Sequence, residues 1–79
     1  MEEKDRKLIA IELAKTMVEE LYEEIGKDAV EEAKAMGMAT SMYAEKIEKK
    51  KKDFLEKVDI ERETASEIFD IEISHKFYQ

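Results

Sequence analysis

Cysteine is missing from this 79-residue chain, which excludes disulfide stapling, thiol nucleophiles and cysteine-held zinc together. Its absence is compatible with a reducing compartment. Asparagine is also missing, glutamine occurs once, and histidine occurs once, at position 75. Every histidine-based acid–base or metal site must therefore pass through His75. Two glycines, Gly26 and Gly37, lie too far apart to build a phosphate-cradling or dinucleotide-binding loop. No apolar run approaches the roughly 18 residues of a membrane span. The acidic start, Met1-Glu-Glu-Lys-Asp5, is not a signal peptide. A soluble cytoplasmic protein with no membrane contact is the expectation.

Charge is plentiful. Charged residues make up 44% of the chain, and 14 basic against 21 acidic side chains leave a net charge of −7, which repels nucleic acid phosphates. The basic block Lys49–Lys52 lacks arginine and aromatic companions, because the only arginines are Arg6 and Arg62. It reads as a solvated helix end that favours the helix dipole, and no nucleic acid partner is expected. Enrichment in glutamate and lysine with few thermolabile residues is thermophile-like, although five methionines oppose that reading. A domain this small buries only ~60% of its unfolded surface, so homo-oligomerisation, as a dimer or higher, is the expected remedy.

Along the chain, Ile11, Ala14, Val18, Leu21, Tyr22 and Ile25 recur at helical spacing and predict a helix over residues 4–25. Leu8, Leu13 and Met17 widen its apolar stripe, and Lys15/Glu19 and Glu23/Lys27 are spaced to pair along its surface. Gly26 suits the position just past its end. Asp28 then suits the cap of a second helix, with Glu31 completing a capping box. That second helix is predicted over residues 28–54. Ala29, Ala33, Gly37 and Ser41 form a ladder of small residues along it, and Ala35-Met-Gly-Met-Ala39 is apolar in every direction. A turn apolar all round is expected to be buried all round. This nominates Ala33, Met36, Gly37, Thr40, Ser41 and Ala44 as a dimer seam, with Met36, Met38 and Met42 as adaptable walls if a small-molecule ligand sits there instead.

From residue 57 the pattern changes. Val58, Ile60 and Arg62 alternate, and Phe69 to Phe77 alternates apolar and polar residues more strongly. This predicts a β-hairpin over residues 57–77, with Phe69, Ile71 and Ile73 on the face that a partner would cover. An unpaired strand edge needs a neighbour, supplied by a second copy or by a longer protein. The expected fold is therefore α+β: an antiparallel helical hairpin followed by a short C-terminal β-hairpin, oligomeric. The alternative is an all-α helical bundle, in which a helix continues through Phe54, Val58, Ala65, Ile68 and Phe69.

Chemistry-bearing patterns are sparse. Glu72-Ile-Ser-His75 has the Glu-x-x-His spacing of di-iron helix bundles, which makes Glu72 and His75 speculative metal ligands on the all-helical alternative. On the strand reading His75 packs on an apolar face, or serves as a general base at a pocket mouth. Ser74 lies on the other strand face and forms no nucleophile–base pair with it. No cofactor is expected.

The run Glu23-Glu-Ile-Gly-Lys-Asp28 leads into Ala33-x-x-x-Gly-x-x-x-Ser41 and Tyr43-Ala-Glu-Lys46, then closes on Ile71-Glu-Ile-Ser-His-Lys-Phe-Tyr78. That order resembles the 2-amino-thiazoline-4-carboxylic acid hydrolase-like family over about residues 20–78, and vinyl-reductase-type ligand-sensing domains have a comparable helix-then-hairpin order. The resemblance implies a terminal hairpin and a truncated domain. Family members carry a cysteine just after the last strand, where this chain has His75-Lys-Phe77, so no catalytic residue is carried across.

The leading functional expectation is a non-catalytic, self-assembling interaction or ligand-sensing module. One alternative is a hydrolase of a small cyclic amide or thiazoline acid, with His75 as base and Lys76 or Arg62 holding a carboxylate. The other is a ferritin-like metal-binding bundle.

Overall fold

The first helix, α1 (Glu3–Ile25), buries Ala10, Ala14, Met17, Val18, Leu21 and Tyr22, a single stripe at three- and four-residue spacing. The computed structural model describes residues 2–78. Glu3 and Asp5 lie in the first turn of α1, where negative charge favours the helix dipole. The helix stops at Gly26, whose φ of +112° suits glycine, and whose N–H donates to the Tyr22 carbonyl at 3.0 Å.

Among the described residues four further helices follow: α2 (Lys27–Ala35), α3 (Ala39–Met42), α4 (Ala44–Lys57) and α5 (Arg62–Phe77). Ion pairs fix their directions. Lys50 meets Glu24 at 2.9 Å, and Arg6 approaches Asp59 at 4.0 Å, so α4 runs antiparallel to α1. Lys76 meets Glu19 at 2.7 Å, and the Phe77 ring stands edge-on to Tyr22 with centroids 6.3 Å apart. Helix α5 therefore runs parallel to α1. Lys51 and Asp70, 2.9 Å apart, tie α4 to α5.

The result is an up–down–up bundle of α1, α4 and α5, measuring 42 × 18 × 17 Å. Helices α2 and α3 lie at the end where α1 and α5 finish, and α2 packs on both. Phe54, Phe69, Phe77, Leu21 and Val30 are the largest fully buried side chains. The rings of Phe54 and Phe69 lie 5.4 Å apart.

The fold is all-α among the described residues, and several expectations change with it. The C-terminal hairpin is a continuous 16-residue helix. Its alternation contains a hidden four-residue period: Ala65, Phe69, Ile73 and Phe77 share one helix face, and all four are buried. The strand reading put Ile71 and His75 on that same face, yet both are exposed. Burial of the four-residue stripe outweighs the β preference of isoleucine and phenylalanine, which depends on context. The α+β assignment and the hairpin implied by the family resemblance are thus replaced by the helical bundle.

The expected second helix over residues 28–54 is broken at Gly37. The Met38 N–H donates to the Ala33 carbonyl at 2.9 Å and the Gly37 N–H to the Lys34 carbonyl at 2.9 Å. With Gly37 at a φ of +68°, this is a Schellman cap that ends α2. The apolar turn is also not buried all round, since Met36, Met38 and Met42 are about half exposed and only Ala39 is buried. The capping box is absent as well. Helix α2 begins at Lys27, which puts Asp28 inside its first turn, while Glu31 bonds to Tyr22.

Candidate functional site

The residues nominated from sequence are scattered by this fold. His75 sits in the last turn of α5 with its side chain 70% exposed and Nδ1 4.0 Å from Glu72 Oε1. Among the described residues no group of three or more His, Cys, Asp or Glu side chains converges to hold a metal, so Glu72 and His75 stand as a simple i,i+3 pair. Arg62 opens α5 and His75 lies near its end, about 20 Å away along the axis. Lys76 is committed to Glu19, with Nζ 4.4 Å from the centre of the Tyr22 ring, a cation–π contact. Of the two residues nominated to hold a carboxylate beside His75, Arg62 therefore lies at the far end of α5 and Lys76 is adjacent but paired with Glu19.

The nominated interface residues divide in the same way. Ala33, Phe69 and Ile73 are core residues. Gly37 is a helix cap, Ser41 donates through Oγ to the Met38 carbonyl at 3.2 Å, and Thr40 is half-buried. Met36, Ala44 and Ile71 are exposed on separate elements.

Tyr22 is held from several sides. Its hydroxyl donates to Glu31 Oε2 at 2.7 Å, and Lys34 approaches the same oxygen at 3.4 Å. That hydrogen bond, with burial and the Glu31 charge adding to it, pushes the Tyr22 hydroxyl up to about 12. In return, the bond from Tyr22 and the charge of Lys34 hold the Glu31 carboxyl below its usual value. This cluster joins α1, α2 and α5, and its role is to fix the end of the bundle.

Besides the half-exposed Met36, Met38 and Met42 around Gly37, apolar side chains are exposed on two sides of α1. The first borders α5. From the Glu19–Lys76 pair, eight residues back along each helix carries Ile11 level with Ile68, because the two helices run parallel. Leu8 and Ile71 extend this stripe and are 53% and 52% exposed. Glu12, Lys15 and Glu72 each stand four residues along the helix from Leu8, Ile11 and Ile68 respectively, the spacing of neighbours on one helix face, so charges of both signs accompany these residues.

The second is a groove of about 290 Å³ between α1 and the corner joining α4 to α5. Ile9, Ala10, Leu13 and Val58 form its apolar floor, and Arg6, Lys57 and Asp59 its charged rim. Sequence reasoning missed this groove because Val58 and Lys57 meet α1 only through tertiary packing. The legible trace was the breadth of apolar residues on α1: Leu8, Ile9 and Leu13 lie to either side of the core stripe. A third hollow, lined by Lys49, Lys51, Lys52, Arg62, Glu48 and Leu55, is more polar, and its Lys51 is already held by Asp70.

No described helix is long and apolar enough to cross a membrane. Comparison with known proteins gives no match to a family model, a curated protein or a solved structure.

Proposed function

We propose that this chain is a non-catalytic assembly module that pairs with a second copy of itself through the outer α1–α5 face. The observation that carries the reading is the exposure of Leu8 and Ile71, each more than half open to solvent and each three residues along its helix from half-buried Ile11 or Ile68. A small bundle gains by covering such a stripe, at about 25 cal/mol for each Å² of apolar surface removed from water. Charges of both signs accompany these residues, so a two-fold arrangement is able to oppose unlike charges across the seam. The net charge of −7 works against association at low ionic strength and is screened as salt rises.

Light scattering over a concentration series, at low and high salt, tests this directly. A dimer that tightens with salt is the expected result. The double variant Leu8→Glu, Ile71→Glu should be monomeric while keeping the helical far-UV spectrum, because neither residue is part of the core. A monomer at every concentration refutes the reading, as does a dimer that survives both substitutions.

A further inference from the structure

The groove on the opposite side of α1 combines an apolar floor with an excess of positive charge, in a protein that is strongly acidic overall. We propose that it binds a small amphipathic carboxylate, an aliphatic or aromatic acid whose body lies on Ile9, Ala10, Leu13 and Val58 and whose anionic head meets Arg6 and Lys57. The groove's volume of about 290 Å³ is at the small end of the range for ligand sites, roughly 300–1,000 Å³, so the occupant is a short acid.

Three observations select an anion. Arg6 and Lys57 come from different elements and line the same groove, so two cations converge on one apolar surface. The one acidic side chain that lines the groove, Asp59, lies 4.0 Å from the Arg6 guanidinium with its side chain 94% exposed, a weak and easily displaced partner. Lys57 forms no ion pair among the described residues. A carboxylate here gains charge-assisted hydrogen bonds from either cation, and its apolar tail removes Ile9, which is 54% exposed, from water. A neutral or cationic molecule of the same size gains only the second part. The self-pairing face borders α5 and this groove borders α4, so the two proposals stand or fall separately.

The test is titration of the isotope-labelled full chain with octanoate, followed through backbone amide shifts, with octylamine as the cationic control of equal tail length. Octanoate should produce saturable shifts clustered at residues 6–13 and 57–59, and octylamine should not. The double variant Arg6→Gln, Lys57→Gln should weaken octanoate about tenfold, the worth of one charge-assisted hydrogen bond, without changing the melting temperature. Ile9→Asp, which puts a like charge on the floor, should abolish the shifts. Equal binding of octylamine refutes the proposal, as do octanoate shifts centred elsewhere or an unchanged affinity in the Gln variant. Loss of octanoate binding as protein concentration rises would assign the groove to a second copy instead, and also refutes it.

Discussion

The Tyr22 hydroxyl donates a 2.7 Å hydrogen bond to Glu31 Oε2, joining the last turns of α1 to the middle of α2 across the tight Gly26 turn. The Lys76 ammonium over the Tyr22 ring and the Phe77 edge against it add the end of α5 to the same point. One tyrosine thus joins the ends of α1 and α5 to the middle of α2.

The two partners titrate in opposite directions, and both limits affect stability. The Glu31 carboxyl lies below its usual value, chiefly through the bond from Tyr22. It therefore stabilises the fold above the carboxyl's unfolded pKa and loses that contribution as pH falls through the folded one. The Tyr22 hydroxyl is raised to about 12, chiefly by its bond to Glu31. Its contribution is complete below the unfolded phenol value of ~10 and is lost as pH rises through the folded value. Absorbance near the tyrosinate band should show one late ionisation step at about pH 12 that Tyr22→Phe removes. In that variant the Glu31 pKa, followed by carbon NMR, should move back up. A Glu31 titration unchanged in Tyr22→Phe would show that the hydrogen bond does not set it.

Why the sequence revealed α1 more readily than α5 follows from the residues themselves. In α1 the stripe through Ala14, Val18, Leu21 and Tyr22 fits only a helical period, and Gly26 stops it. In α5 the residues Phe69, Ile73 and Phe77 satisfy a two-residue and a four-residue period at once. Ile71 is what tips the sequence pattern toward a strand, and it is the position the folded chain leaves exposed. Gly37 raises a similar ambiguity, because a glycine among small residues suits both a helix seam and a helix end. The candidate groove lies further from reach, since it needs Val58 and Lys57 beside Ile9 and Leu13, about fifty residues apart in the chain.

Gly37 offers a test of cap against seam. An added Cβ there would meet nothing within 4 Å, so size is not the constraint; the φ of +68° is. Replacement by Ala should cost about 1–2 kcal/mol from the left-handed backbone alone. Gly37→Leu should cost nearly the same, and Gly37→Asn less, as asparagine tolerates this conformation better. Urea unfolding of the three variants measures this. A much larger loss for Leu than for Ala would show that another element packs closely on Gly37.

The aromatic centre sets how much disruption the bundle tolerates. Phe54 and Phe69 are fully buried against each other, and truncating either to Ala removes its contacts and leaves a cavity, at about 3–5 kcal/mol. Native proteins have only about 5–15 kcal/mol in total, so either substitution should remove a large share of the stability and lower the urea midpoint markedly. Far-UV spectra with increasing urea would show this. A variant that retains the parent midpoint would mean that α4 and α5 do not pack through these rings.

Ile71 and Ile73 distinguish the helix from the strand with two substitutions. On a strand they share a face and should respond alike. On α5 they diverge: Ile73 is 7% exposed in the core and Ile71 is 52% exposed on the outer face. Ile73→Ala should therefore destabilise by about 2–5 kcal/mol. Ile71→Ala should change the stability of the isolated chain by no more than about 0.5 kcal/mol, as for surface positions generally. The experiment is best run at protein concentrations low enough to keep the chain monomeric. At higher concentration Ile71 tests the self-pairing proposal, since a residue whose loss leaves the monomer's stability unchanged but lowers the midpoint when copies associate is an interface residue. If Ile71→Ala shows no such concentration dependence, the self-pairing face lies elsewhere. If it matches Ile73→Ala in the monomer, α5 is not the helix described here.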